Sequence, residues 1–347
     1  MQSPEKKNAE VAGETTAVDG GPERARGYHD PGTPPASGLE QGGGPSLGRP
    51  ELVARHPQLA ALDWAAIQAR FPVAVPRTWG TAPELMRQAL PDARELEVHP
   101  GDTPDPVGEQ QKSPLPWVVQ KHADRVLLLL TKRCHMYCRY CFRADHQPGG
   151  SDDPTPAEWS RMLEFTKRSG ASEVILSGGD PLAIRDEKLY SAIDGVRSGR
   201  APVIRIHTRA PITWPSRVTA ELVAGLAARA PVWVIVHCNH PAELTPAVRE
   251  ALGRLVDGGI PVLNQSVLLQ GVNADPAVLA ELCEALVALR VFPYYLHHPD
   301  AVPGNAHFRV SLEQGRAIYR ELAGRVSGLA LPRYVLDPPD GSGKRDV

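Results

Sequence analysis

Three cysteines fall within eight residues, Cys134, Cys138 and Cys141 in the stretch CHMYCRYC. The chain has five cysteines in all, and the remaining two, Cys238 and Cys283, stand apart from them and from each other. An odd, unevenly spread set does not make a disulfide framework. Thiolates at this spacing hold soft metals, and structural zinc and iron-sulfur clusters both normally take four protein ligands. Zinc would need His135 or His146 as its fourth. A 4Fe-4S cluster held by three cysteines instead leaves one iron open to a substrate or cofactor, so the missing ligand is itself a functional feature. Cys283, inside LAELCEALVAL, reads as helix core, and Cys238, inside HCNH, reads as packing.

Chemistry of this kind needs a scaffold, and the chain becomes regular from about residue 125. Short apolar runs occur at VLLLL (126–130), VIL (174–176), VIRI (203–206), VWVIV (232–236), PVLN (261–264) and VFPYYL (291–296). After the first, their starts are about 30 residues apart, with amphipathic stretches such as TAELVAGLAARA between them, as in strand-helix units. Strands that are apolar throughout are buried on both faces, which means a parallel sheet covered by helices. The period points to a partial (β/α)6 barrel like a portion of a TIM barrel, with a doubly wound open sheet as the alternative. Each apolar run is followed by a polar segment: TKRCHMYCRYCFR, SGGDP, HTRAP, HCNHPAE, NQSVLLQGVN and HHPDAVPG. Loops at the C-terminal ends of parallel strands converge on one mouth, so these side chains are expected to meet there.

The rest of the chain sets limits. Residues 1–50 are rich in Gly, Pro, Ser and charge without an apolar period, and are expected to be a disordered tail. Residues 51–115 carry helical patterns in LVARHPQLAALDWAAIQARF and APELMRQAL and are expected to form a helical cap, followed by the barrel over 116–304 and a C-terminal segment over 305–347. With 38 basic against 40 acidic residues, no global field favours nucleic acid or a membrane surface as partner. No membrane-length apolar run or secretory h-region is present, so a cytoplasmic location and a small-molecule substrate are expected.

The CxxxCxxC spacing, with aromatic Tyr140 just before the third cysteine and placed at the end of the first barrel strand, resembles the radical S-adenosylmethionine (SAM) superfamily. The resemblance implies that Cys134, Cys138 and Cys141 hold a 4Fe-4S cluster whose open iron binds SAM. It also implies that Ser177, Gly178, Gly179 and Asp180 form the glycine-rich segment at the methionine end of SAM, where glycines allow close approach and Asp180 can face an ammonium. Over about residues 95–347, the segments LLLLTKRCHMYCRYCFR, ILSGGDPL, RIHTRAPITWPSRVT, PYYLHHPD and GNAHFRVS are similar to lysine 2,3-aminomutases and their relatives. These enzymes also use pyridoxal 5'-phosphate, and the match gives Lys344, in DPPDGSGK, as the Schiff-base lysine. By the same match Arg125 and Lys121 hold the cofactor phosphate, with Lys121 where lysine mutases carry a second arginine. Arg143 takes the substrate carboxylate, and Asp300 and Asp337 take the side-chain ammonium of lysine. The residues after Lys344, namely Arg345, Asp346 and Val347, depart from the apolar residue and proline usual in the family. The implied activity is an isomerase converting L-lysine to β-lysine, with arginine or ornithine as alternative substrates and elongation factor P modification as an alternative destination. An electron donor such as flavodoxin or ferredoxin and a homo-oligomeric assembly belong to the same expectation.

Overall fold

The computed structural model of the chain describes residues 46–145, 151–197 and 203–347. The described part opens with short helices, α1 (Arg49–Arg55), α2 (Trp64–Arg70) and α3 (Pro83–Ala89). Two strands follow, β1 (Val118–His122) and β2 (Arg125–Leu129). Alternating units then run through α4 (Pro156–Ser169), β3 (Glu173–Ser177), α5 (Asp186–Arg197), β4 (Val203–Thr208), α6 (Ala210–Thr213), α7 (Ala220–Ala227) and β5 (Val232–Val236). They continue through α8 (Pro246–Asp257), β6 (Val262–Val267), α9 (Pro276–Ala288), β7 (Phe292–His297), α10 (Leu312–Ala323), β8 (Arg333–Leu336) and β9 (Arg345–Asp346).

Among the described residues, nine strands lie in one sheet in chain order. From β2 to β8 every neighbouring pair is parallel, while β1 and β9 add antiparallel edges on β2 and β8. Parallel strands in chain order are the arrangement of a barrel, and among the described residues no ladder joins β1 to β9, so the barrel is partial. The six apolar runs are β2 to β7, and β8 extends the parallel array by one strand.

Local sequence explains the helix starts. Thr155, Thr219, Thr245, Asp275 and Ser311 each accept a backbone N–H from the first turn of α4, α7, α8, α9 and α10. Proline follows directly at the first position of α4, α8 and α9, where its missing N–H costs nothing. The strands then bury Leu128, Val174, Leu176, Ile204, Ile206 and Val234 beneath these helices.

The cap shares that core: Trp64, Ile67 and Leu85 pack in the same apolar cluster as the barrel strands. The disordered tail expected over 1–50 lies outside the described residues as far as 45. Its last residues need correcting, because Leu47 is 6% exposed and bridges Val75, and α1 has begun by Arg49. Burial of an isolated leucine is what holds this stretch onto the cap. Among the described residues, no helix is long and apolar enough to cross a membrane.

Candidate active site at the C-terminal ends of the strands

Cys134, Cys138 and Cys141 sit partly exposed in the loop that follows β2. The cap holds this loop at two points. The Arg139 N–H donates to the Gln88 carbonyl of α3 (3.0 Å), and the Arg139 guanidinium, with a fully buried side chain, grips both carboxylate oxygens of Glu95. From the barrel side, Arg209 at the end of β4 donates to the Cys138 sulfur (2.8 Å) and to Gln88 Oε1 (2.7 Å), and pairs with buried Glu243 (3.1 Å). Tyr140 is 7% exposed; its ring stacks on His237, and its hydroxyl meets His237 Nε2 (2.9 Å) and Asn239 Nδ2 (2.6 Å). Tyr140 is thus a wall behind the cysteines, fixed by a buried polar network.

Burial pushes the Cys134 and Cys141 thiols up, the latter to about 12, so thiolate here needs a cation that replaces the proton. Among the described residues, no three His, Cys, Asp or Glu side chains converge as they would on one metal ion. His135 is directed elsewhere: its Nε2 lies 3.3 Å from the Leu182 carbonyl and its ring packs edge-on to Trp214. His146, the other residue considered for zinc, lies outside the described residues. Three thiols with an Arg209 donor already on one sulfur fit a cluster, which places each cysteine on a different iron, better than a single zinc ion.

Ser177 ends β3, and Gly178 and Gly179 cross directly under the cysteine loop. Gly178 has φ 130°, and a Cβ there would drive into the Thr131 carbonyl; one at Gly179 would strike the carbonyls of Lys132 and Arg133. The Gly179 and Asp180 N–H groups donate to Thr131 (2.6 Å) and Arg133 (2.8 Å), stitching the two segments together. The Asp180 carboxylate, 4% exposed, already accepts from Leu182 N (2.9 Å), Thr208 Oγ1 (2.6 Å) and Arg209 N (2.9 Å). These internal donors make Asp180 a brace between β3 and β4.

A second group gathers acids and bases from distant parts of the chain. Asp337, just after β8, lies 3.3 Å from Lys121 Nζ and, through its other oxygen, 3.3 Å from Lys344 Nζ. Lys121 also donates to the Val107 carbonyl. Lys344 is held in place because Arg345 and Asp346 form β9 against Leu336 and Val335, and the Val347 N–H donates to Tyr334 (3.1 Å). The departure from the family's usual sequence after Lys344 therefore makes an edge strand. Asp300 is close enough to Asp337 for its carboxyl to be pushed up to about 7, first by burial and then by that charge. Arg143 is clamped by Glu109, with Nε and Nη2 donating to the two carboxylate oxygens (2.8 and 2.7 Å), and its Nη1 reaches Ser177 Oγ (3.2 Å).

Beside Lys344 the barrel lumen is polar. The Lys344 ammonium lies 5.9 Å from the Tyr295 ring centre. Burial, then the Lys344 charge, lowers His297 to about 3; burial and the charges of Arg205 and Lys344 push His207 well below its ordinary value. Both imidazoles are neutral near pH 7. His207 Nδ1 lies 3.5 Å from Gln265 Nε2, and its Nε2 is buried without a hydrogen-bond partner among the described residues. An orphaned ring nitrogen within the field of a lysine fits a polar cofactor such as pyridoxal phosphate in the lumen.

Arg125 is not brought into this cluster. It opens β2, is 40% exposed along its side chain, and its Nε lies 3.3 Å from the neighbouring Asp124. The residues that sequence reasoning missed are Glu109, Arg209 and the Gln88–Glu243 pair. Arg209, Glu243, His207 and His297 did lie in polar segments after strands; Glu109 and Gln88 carried no such signal.

A profile of the Radical SAM superfamily matches residues 128–283. An L-lysine 2,3-aminomutase of Fusobacterium nucleatum is 40% identical over 266 residues, covering 76% of this chain and 62% of that protein. One from Clostridium subterminale is 41% identical over 266 residues, covering 76% and 64%. The chain thus spans a little under two thirds of these relatives' length. An L-lysine 2,3-aminomutase of Buchnera aphidicola is 33% identical over 292 residues, covering 80% of this chain and 84% of its own. A glycine-braced cysteine loop at the mouth of a partial barrel, matched along the chain at this level, makes this protein a member of the L-lysine 2,3-aminomutase family within the radical SAM superfamily.

Proposed function

We propose that the protein is a radical SAM aminomutase that moves the α-amino group of L-lysine to the β carbon, using a 4Fe-4S cluster and pyridoxal phosphate. The observation that carries this reading is the Lys121–Asp337–Lys344 bridge, with Asp300 beside it, at the mouth of a polar lumen.

When bound, the cluster supplies the electron that cleaves SAM to a hydrogen-abstracting carbon radical, and pyridoxal phosphate supplies the conjugated system across which nitrogen migrates. Cys134, Cys138 and Cys141 hold the cluster, with Arg209 fixing the Cys138 sulfur from behind. Ser177, Gly178 and Gly179, packed against the cysteine loop, would leave room for SAM beside the cluster, and Tyr140 would wall that space. Lys344 is the lysine that bonds pyridoxal phosphate. Its amine must be neutral to do so, and Asp337, which now shares itself between two ammonium groups, stays charge-balanced by Lys121 when Lys344 gives up its proton. Lys121 is the cation offered to the phosphate; Arg125, which the family match also gives for that role, stands apart at the start of β2. Arg143 offers its Nη1 edge to the substrate carboxylate, because Glu109 occupies the other edge.

Asp300 and Asp337 favour a substrate with a terminal cation. As that cation arrives, the Asp300 carboxyl releases its proton and becomes the counter-charge. This favours lysine, with arginine and ornithine as the other cationic candidates. A low-potential donor such as flavodoxin or ferredoxin and a homo-oligomeric, cytoplasmic enzyme belong to the same reading. The test is borohydride reduction of protein incubated with pyridoxal phosphate. The reduced adduct is expected on the peptide carrying Lys344, and an adduct confined to other lysines would remove pyridoxal phosphate from the proposal.

A further inference from the structure

Late in the cap, ahead of β1, residues 105–109 make a tight turn whose Asp105 carboxylate accepts the N–H groups of Glu109 and Gln110, both at 2.8 Å. Three side contacts leave this turn. Glu109 clamps Arg143, the Val107 carbonyl accepts from Lys121, and Gly108 lies against the turn that leads into Lys344. Gly108 has φ 66°, and a Cβ built on it would stand 2.6 Å from the Pro339 carbonyl oxygen and 2.8 Å from the Gly341 nitrogen. From the other side, a Cβ on Gly341, φ 69°, would stand 3.2 Å from the Gly108 oxygen. The far face of the same turn presses on β1, where a Cβ on Gly343 would stand 2.7 Å from the His122 ring.

We infer that residues 105–109 are a clasp that seats the Lys344 turn against the barrel mouth, anchored at its other end on Arg143, with Gly108 as the positioning residue. The turn over 338–343 contributes only two residues of sheet beyond it, in β9. β9 and the Val347 N–H bond to Tyr334 hold the chain after Lys344, and the close backbone approach at Gly108 holds the turn before it. Through Lys121, Glu109 and Gly108, one loop touches both cations of the mouth and the segment bearing Lys344, so the lysine and the carboxylate-binding arginine keep a fixed separation. The inference rests on the pyridoxal reading above.

The experiment compares Gly108→Ala with Gly101→Ala in the reconstituted full chain. Gly101 also has a left-handed backbone, φ 91°, but a Cβ there meets nothing within 4 Å, so it reports backbone strain without the clash. The readouts are borohydride trapping of pyridoxal phosphate at Lys344, its visible absorption, iron content and melting temperature. Gly108→Ala is expected to lower trapping at Lys344 at least tenfold with iron content unchanged, while Gly101→Ala traps like the parent. If Gly108→Ala does not fold, Gly341→Ala takes its place, closing the same gap from the opposite side. Parent-level trapping in the folded Gly108 or Gly341 variant would overturn the clasp while leaving the pyridoxal reading intact. Loss of trapping in Gly101→Ala as well would assign the effect to strain and also overturn it. Absence of trapping in the parent would overturn the pyridoxal reading and the clasp with it.

Discussion

Replacing Asp300 with asparagine removes a carboxyl that the fold holds at about 7 against an ordinary 3.8. Because the folded value is the higher one, between about pH 4 and pH 7 the native chain keeps a proton that the unfolded chain has released. Stability from this group is therefore full below about pH 4, falls as pH rises through 7, and stays at its lowest above that. Three pH units correspond to about 4 kcal/mol if the site were wholly dry. Asp300 retains some solvent contact, and screening reduces the figure to about 2 kcal/mol. Asp300→Asn should thus raise the melting temperature of the substrate-free protein at pH 8 by about 3 °C and leave it unchanged near pH 4. Adding L-lysine at pH 8 should stabilise the parent, whose carboxylate gains a counter-ion, and should stabilise the variant much less. Anaerobic thermal unfolding of both proteins at the two pH values, with and without lysine, measures all of this. An asparagine variant that melts lower at pH 8, or that responds to lysine as the parent does, would refute the reasoning.

Arg209→Gln withdraws a cation from the Cys138 sulfur, so the cluster's midpoint potential in an EPR-monitored redox titration should move lower, and an unchanged potential would separate Arg209 from the cluster. Glu95→Ala strands the Arg139 guanidinium in a buried site and should cost about 3 kcal/mol in denaturant unfolding, with a loosened cysteine loop that holds less iron. Gly178→Ala forces a side chain into the Thr131 carbonyl and should lower SAM affinity by tenfold or more in equilibrium dialysis, and binding like that of the parent would mean the two segments are not held in register.

The strands β2 to β7 were legible because parallel strands buried on both faces leave uninterrupted apolar runs. The edge strand β1, VVQKH, is buried only at its two valines and turns polar after them, and β9 is only Arg345–Asp346, so neither writes a periodic pattern. The cysteine loop was legible from spacing alone, whereas Lys344 became visible only through resemblance to a family, since a lysine after DGSG has no chemical signature of its own. Glu109 could not be found: it lies in a turn of Pro and Gly without period, and its guanidinium partner is 34 residues away. The same distance problem hid Arg209, whose sulfur partner lies 71 residues back in sequence. Asp180 shows what residue type alone leaves out, since its oxygens accept from Thr208 and from two backbone N–H groups beside it.

The most direct test uses L-lysine labelled with 15N at the α-amino group, incubated anaerobically with the iron-sulfur-reconstituted protein, reductant, SAM and pyridoxal phosphate. The account predicts β-lysine carrying the 15N on its β carbon, identified by mass fragmentation, and its loss in Cys138→Ala and Lys344→Ala. Cleavage of SAM with unchanged lysine, in protein fully loaded with iron and pyridoxal phosphate, would contradict it.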